Sequence, residues 1–213
     1  MGADPTFDLA AGPAVVPMAT PARTGPLDGV TFAVVDVETS GLKTKSHRLL
    51  QVGVVMATGD GTVLDRWSSF VRPRWWRVAR LGPTEIHGIS RGDLREAPDL
   101  AAVYAELAPR LDGAVVTAHN VAFDWACLLR GAQRAHRPLP AGQRLCTLRL
   151  SRSLDPEHER SHRLADLCER YGVHNARAHN ALADAEATAA ILPHLLREAG
   201  VTTRHDLDQR LER

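Results

Sequence analysis

Two carboxylates, Asp36 and Glu38, interrupt an otherwise apolar stretch that reads AVVDVETSGL over residues 33–42. Side chains two positions apart in a strand share one face of the sheet. If the apolar stretch is a strand, both acids point the same way at its end. Carboxylates that close repel each other, and a hard divalent cation such as Mg²⁺ removes the conflict. The alternative is a surface turn with two solvated acids.

Two later segments add acids at comparable places. In AHNVAFDWACLL, Asp124 falls in the first turns of a predicted helix that Asn120 could cap. In AHNALADAEATAAIL, His179 precedes a predicted helix and Asp184 follows it by five residues. Taken singly, each has a structural explanation, since acids favour helix N-termini and lone histidines are usually surface groups. Taken together, four acids at the ends of elements, with a histidine beside the last, favour a metal site.

These three segments resemble the motifs of the DEDD superfamily of 3′-to-5′ exonucleases, which have a ribonuclease-H-like fold. The motifs occur here as VVDVETSGL, HNVAFDWACL and HNALADAEAT, and the similarity extends over about residues 29–198. His179 stands five residues before Asp184, which is typical of the histidine branch. That branch includes the epsilon proofreading subunit of bacterial DNA polymerase III, ribonuclease T and oligoribonuclease.

The resemblance implies a two-metal site for Mg²⁺ or Mn²⁺. Asp36, Glu38 and Asp184 should ligate the first ion, with Asp36 bridging to the second and Asp124 holding the second directly or through water. His179 should be the general base that deprotonates the attacking water. The implied reaction is 3′–5′ hydrolysis of phosphodiester bonds, with release of nucleoside 5′-monophosphates.

The implied substrate is a nucleic acid with a free 3′ end, DNA in preference to RNA, either single-stranded or frayed. Proofreading or repair, and association with a polymerase, are the corresponding roles. Two alternatives stay open. One is an exoribonuclease that acts on RNA or short oligonucleotides, and the other is a catalytically silent nucleic-acid-binding module. The presence of all five active groups argues against the silent module.

The resemblance also suggests substrate contacts around the acids. The turn from Thr39 to Leu42 should touch the terminal nucleotide, with Leu42 as a wedge, and Asn120 and Phe123 should line the next pocket. His87, within EIHGIS, also approaches substrate on this view. Each has a structural alternative: Leu42 packs the turn, Phe123 belongs to the core, and His87 makes a structural hydrogen bond.

Two features depart from the family pattern. Gln51 stands where relatives often carry an acid, and the segment RPRWWRVARLGP at 72–83 is longer than the usual link. Basic groups interleaved with aromatic side chains suit single-stranded nucleic acid. Trp75, Trp76 and Arg77 are therefore candidate substrate-binding residues, with Arg72, Arg74 and Arg80 beside them. The alternative is a loop whose tryptophans cover a sheet edge.

The elements that must position these groups follow from the hydrophobic pattern. Strands are predicted around 30–37, on both sides of Gly59–Gly61, at 113–118 and from 143; helices are predicted at 99–111, 121–135, 163–171 and 180–199. Pro193 should kink the last helix or end its first half. The pattern predicts an α/β domain with a ribonuclease-H-like mixed central sheet flanked by helices. Residues 1–28 are predicted to be a disordered tail rich in Ala, Pro and Gly, and 199–213 a short C-terminal tail.

Composition bears on surface charge, on membrane insertion and on the redox compartment of the protein. The 213 residues carry 26 Lys and Arg against 25 Asp and Glu, so a basic surface must be local. No apolar run reaches the length of a membrane span, and the N-terminus lacks a signal-peptide pattern. Three widely spaced cysteines predict a reduced, cytoplasmic chain without structural zinc.

Overall fold

One mixed sheet forms the centre of the molecule in the computed structural model, which describes residues 27–41, 48–74, 77–175 and 177–212. In these ranges the five strands stand in the order β3-β2-β1-β4-β5. The strands are β1 (Thr31–Thr39), β2 (Leu49–Thr58), β3 (Val63–Phe70), β4 (Val115–Ala118) and β5 (Arg144–Cys146). The pairs β1–β2 and β2–β3 are antiparallel, whereas β1–β4 and β4–β5 are parallel. The predicted ribonuclease-H-like sheet is confirmed.

Helices connect the strands and cover both faces of the sheet. After a short 3₁₀ turn at Leu27–Gly29, the described helices are α1 (Thr84–His87), α2 (Arg91–Arg95), α3 (Leu100–Leu111), α4 (Val121–Ala135), α5 (Thr147–Ser153), α6 (Leu164–Tyr171), α7 (Ala181–Glu198) and α8 (Arg204–Asp208). Asp99 begins α3 by accepting a hydrogen bond from the Ala102 N–H at 2.9 Å. Gly172 ends α6 in the left-handed conformation, as the sequence predicts. None of these helices is both long and apolar enough to cross a membrane.

The alternation of apolar side chains along β1 gives the sheet a core on each face. Phe32 and Val34 point to a cluster that includes Ile191 and Leu195 of α7. Ala33, Val35 and Val37 point to the opposite cluster, built largely by α3 and α4. Because β1 is central and nearly all its apolar residues are buried, a carboxylate on either face must lie beneath a helix.

Pro193 does not end its helix. Helix α7 continues from Ala181 to Glu198 with Pro193 inside it, so the expectation that the proline ends the first half of the helix is wrong. The ring of Pro193 lies beside the β2–β3 turn, where a Cβ on Gly61 would approach its Cγ to 3.1 Å. Buried leucines on both sides of the proline, Leu192 and Leu195, tether the helix to the sheet. This packing compensates for the hydrogen bond that proline removes.

The structure describes the C-terminal segment up to residue 212 but not the first 26 residues. Residues 1–26, most of the predicted N-terminal tail, lie outside the described residues. The segment predicted as a C-terminal tail packs on the domain instead. Leu207 of α8 is fully buried, and the Glu212 N–H donates to the Arg144 carbonyl of β5 at 2.7 Å. These contacts attach the C-terminal segment, up to residue 212, to the rest of the domain.

Candidate active site

Strand β1 delivers two carboxylates to the face of the sheet that α7 covers. Asp36 pairs in register with Gly53 of β2, and Glu38 pairs with Gln51. The register shifts after Glu38, where the strand leaves the sheet and turns at Ser40 and Gly41. Strand alternation therefore places both acids on one side, as predicted, near the end of β1.

Helix α4 adds the third acid. Asp124 lies in its first turn and is only 4% exposed. Hydrogen bonding from the backbone of Val37 ties its carboxylate to β1. Asn120 precedes the helix in the left-handed conformation, with φ of 85°, and is exposed. Its side chain makes no capping hydrogen bond within the described chain, so the predicted cap is wrong. The left-handed backbone directs the side chain away from the first amides.

Helix α7 adds the fourth acid and the histidine beside it. The two carboxylate oxygens of Asp184 accept hydrogen bonds from the Asn175 side-chain Nδ2 at 2.6 Å and from the His179 backbone N–H at 2.9 Å. His179 is exposed and has a φ of 65°, a left-handed conformation that costs a non-glycine residue free energy. The hydrogen bond to Asp184 holds His179 in this conformation next to the acids.

Strand β2 fixes where α7 begins. The Gln51 side chain is buried, accepts from the Ala181 N–H at 3.3 Å and donates to Ser68 Oγ at 3.4 Å. A Cβ on Gly53 would overlap the backbone of Ala181 and Leu182, so only glycine allows this approach. The sequence motifs did not reveal these supporting roles, although a glycine inside the β2 strand pattern indicates close backbone approach.

The carboxylates strongly perturb one another. Burial is the largest cause that raises the pKa of Asp36 well above its usual value, followed by the charges of Asp124, Asp184 and Glu38. Burial and then Asp184 raise the pKa of Glu38 to about 7. Burial also raises the pKa of Asp124, with Glu38 adding to the rise. Four acids from three segments thus share one electrostatic environment.

The donor set fits a divalent cation. Glu38, His179 and Asp184 each offer a ligand atom, and these atoms all lie within 4.8 Å of one another. Hard carboxylate oxygens favour Mg²⁺ or Mn²⁺, and positive charge would relieve the repulsion that raises the pKa values of Asp36 and Glu38. The geometry leaves His179 two roles, as a ligand or as a base beside the site.

The predicted substrate-contacting residues lie in varied environments. The Thr39 hydroxyl donates to the Gly41 carbonyl at 2.7 Å and closes the turn beyond Glu38. Phe123 is half-buried against the α3–α4 core. Arg77 is exposed, as is Asn120. Leu42, Trp75 and Trp76 lie outside the described residues.

His87 has a structural role in this conformation. It is buried, its Nδ1 accepts from the Ile89 N–H at 3.0 Å, and its Nε2 lies 3.0 Å from the Leu81 carbonyl. An imidazole that accepts at Nδ1 and donates at Nε2 has both nitrogens engaged. These bonds favour the structural alternative over substrate contact.

Comparison with known proteins places these residues in a family context. The model of the exonuclease family RNase_T matches residues 33–192. The PolC-type DNA polymerase III of Bacillus subtilis (strain 168) is 30% identical over 205 residues, which cover 92% of this chain and 14% of the polymerase. The chain therefore spans about a seventh of the length of this relative.

Two solved structures share the fold. The crystal structure of E. coli Exonuclease I in complex with a dT13 oligonucleotide superposes with a TM-score of 0.71 at 22% identity, over 80% of this chain and 42% of that one. Exonuclease X in complex with 5′ overhanging duplex DNA gives a TM-score of 0.62 at 24% identity, over 83% of this chain and 98% of that one. At these identities the likeness concerns the fold.

Proposed function

This chain belongs to the RNase_T exonuclease family, and we propose that it is a divalent-metal-dependent 3′–5′ exonuclease of the histidine branch of the DEDD superfamily. The observation that carries the proposal is the convergence of Asp36, Glu38, Asp124 and Asp184 from three separate segments, where burial and the neighbouring acids raise the pKa values of the first three. A cluster of this kind is costly to stability without a cation, which supports a catalytic purpose.

In the proposed site Asp36, Glu38 and Asp184 would hold one divalent ion, and Asp36 and Asp124 would support a second. Such ions would supply stabilisation of the attacking and leaving oxygens of an in-line phosphoryl displacement. His179 then accepts the proton of the attacking water at its imidazole. Its exposure suits this role, because the ring can reach a water on the substrate side of the acids.

We propose DNA as the substrate, with nucleoside 5′-monophosphates as products. Similarity to a segment of DNA polymerase III of the PolC type supports DNA over RNA. Proofreading or repair, with or without a polymerase partner, is the proposed role. Discrimination against RNA would depend on contacts at the 2′-hydroxyl.

The test is digestion of end-labelled single-stranded DNA, matched duplex, duplex with a mismatched 3′ terminus, and RNA of the same sequence, with Mg²⁺ or Mn²⁺. We expect stepwise loss of mononucleotides from the 3′ end, faster on single-stranded and mismatched DNA than on matched duplex or RNA. Asp184→Asn should abolish digestion. Glu186→Gln is the matched control, since Glu186 lies on the same helix but pairs with Arg66 of β3 at 2.8 Å.

Two results would contradict the proposal. Digestion that continues in excess EDTA would exclude dependence on divalent ions. Digestion by the wild type that Asp184→Asn leaves intact would place the activity elsewhere. Preferential digestion of RNA would instead support the exoribonuclease alternative.

A further inference from the structure

A cavity of about 600 Å³ opens between the end of β1, the start of α3 and the second half of α4. We call it the arginine cleft, because the described residues that line it include five arginines from three segments of the chain: Arg48, Arg72, Arg74, Arg130 and Arg134. The chain as a whole has a formal charge of only +1. The positive charge is therefore a local feature of this cavity.

One acid also lines the cleft. The carboxylate of Asp99 accepts from the Ala102 N–H and caps α3. Arg130 and Arg134 stand one helical turn apart on α4, where like charges repel. Partial burial, followed by the charges of Arg130 and Arg48, lowers the pKa of Arg134. Such mutual repulsion is relieved when an anion binds between the cations.

The frame of the cleft is fixed by specific contacts. The Arg72 N–H donates to the Pro98 carbonyl at 2.8 Å, and its guanidinium Nη1 donates to the Arg95 carbonyl at 3.2 Å. Beneath the cleft, the Tyr104 hydroxyl donates to the Leu128 carbonyl at 2.6 Å. A Cβ on Gly131 would overlap the Tyr104 hydroxyl, so glycine permits this close packing of α3 against α4.

The cleft adjoins the carboxylates through β1. Thr39 lines the cleft and directly follows Glu38, so the two side chains lie on either side of the end of the strand. Consider a DNA strand whose 3′ end occupies the carboxylate site. If this DNA passes around the end of β1, its phosphate backbone reaches the arginines. Arginine forks match phosphate oxygens in geometry as well as charge.

We propose that the arginine cleft binds backbone phosphates of the substrate strand on the 5′ side of the nucleotides held at the carboxylates. This inference rests on the proposed exonuclease function and assigns that function a second binding site. It also gives Arg72 and Arg74, from the basic–aromatic segment at 72–83, a defined place on the substrate path.

The test compares Arg130→Gln/Arg134→Gln with Arg197→Gln/Arg210→Gln, a control that removes the same charge from exposed positions outside the lining of the cleft. Binding of a labelled single strand of about 12 nucleotides is measured by fluorescence anisotropy in EDTA at several salt concentrations. Each lost phosphate contact should reduce the slope of log K against log salt by about 0.7, so the cleft variant should lose about 1.4. The control should retain the wild-type slope. Arg130→Lys/Arg134→Lys should largely restore it.

Turnover separates this inference from the proposed function. The cleft variant should hydrolyse the p-nitrophenyl ester of thymidine 5′-monophosphate at the wild-type rate, but show a several-fold higher KM for the longer strand. If the wild type digests both substrates and the cleft variant matches it in KM and salt slope, the cleft proposal fails and the exonuclease proposal stands. If the wild type digests neither substrate but its binding of the DNA strand still depends on Arg130 and Arg134, the exonuclease proposal fails and the cleft proposal stands.

A second arm distinguishes the source of the phosphate. Thymidine 5′-monophosphate and inorganic phosphate are titrated into the wild type and the cleft variant by calorimetry. We expect the cleft variant to bind the single-stranded DNA more weakly than the wild type. This expectation does not depend on whether the variant also loses weak binding of these small anions. Loss of small-anion binding alone, with strand binding unchanged, would identify a site for free nucleotides and overturn the proposal.

Discussion

Glu38→Gln should make the protein more stable at about pH 8 in the absence of divalent ions, although it removes a group from the centre of the site. Burial and the neighbouring Asp184 raise the pKa of Glu38 from 4.5 to about 7. Between pH 4.5 and about pH 7, the Glu38 carboxyl is protonated in the folded protein but ionised in the unfolded chain. Stability therefore falls as pH rises through this window, and the loss is complete above pH 7.

The size of the effect follows from the same values. A pKa change from 4.5 to about 7, at about 1.36 kcal/mol per pH unit, corresponds to about 3 kcal/mol. Glu38 is partly exposed, and solvent screening reduces this to about 1–2 kcal/mol. For a chain of 213 residues each kcal/mol moves the melting temperature by about 2–4 °C. Glu38→Gln should then melt about 2–8 °C above the wild type.

The assay is thermal unfolding in EDTA at about pH 4 and pH 8, followed by circular dichroism. The difference in melting temperature between the variant and the wild type should nearly vanish at the lower pH, where Glu38 is mostly protonated in both the folded and the unfolded chain. Glu169→Gln, which removes an exposed carboxylate from α6, should leave the melting temperature close to that of the wild type. Mn²⁺ should narrow the gap by stabilising the wild type. A variant that melts at or below the wild type at pH 8, or a gap that is independent of pH, would refute the electrostatic reasoning.

Three further changes probe separate parts of the site. Asp36→Asn should abolish mononucleotide release and raise the melting temperature in EDTA, because burial and three neighbouring acids disfavour its charge; lower stability than the metal-free wild type would count against this. His179→Ala should lower kcat by about 10²–10⁴-fold in digestion assays, whereas an unchanged rate would remove the imidazole from the mechanism. Gly53→Ala should destabilise the fold by about 1–3 kcal/mol in denaturant titrations, because its methyl group overlaps the start of α7; wild-type stability would show that α7 shifts at little cost.

The positions of the four acids on strands and helices were predictable, because they follow from the local pattern of apolar and polar residues. The apolar residues around Asp36 define a buried strand, and the two-residue period places Glu38 on the same face. Asp124 and Asp184 fall in first turns of helices, as their spacing from the preceding polar residues indicates. That these helices meet at the end of β1 came from the resemblance to the exonuclease motifs.

The supporting details of the site and of α7 were not predictable, because they depend on loop paths and tertiary packing that local pattern does not specify. Asn175 holds Asp184 from the loop before α7, and its role depends on a loop path that local pattern does not specify. Asn120 has a residue type suited to capping, yet its left-handed backbone prevents the usual hydrogen bond. Pro193 is unfavourable inside an isolated helix, but the packing of α7 on the sheet overrides this preference. In each case tertiary contacts decide between locally reasonable outcomes.

Gln51 shows how the site limits its own repulsion. It stands directly opposite Glu38 in the antiparallel pair, so an acid there would place two like charges across the strands. A glutamine avoids that charge and also offers both a donor and an acceptor. Its carbonyl oxygen accepts from the Ala181 N–H, while its amide donates to Ser68. Asp184 lies in the first turn of the same helix, so this contact holds the segment that carries Asp184 against the strand opposite Glu38. The departure from the family pattern at this position is therefore compatible with a complete carboxylate cluster.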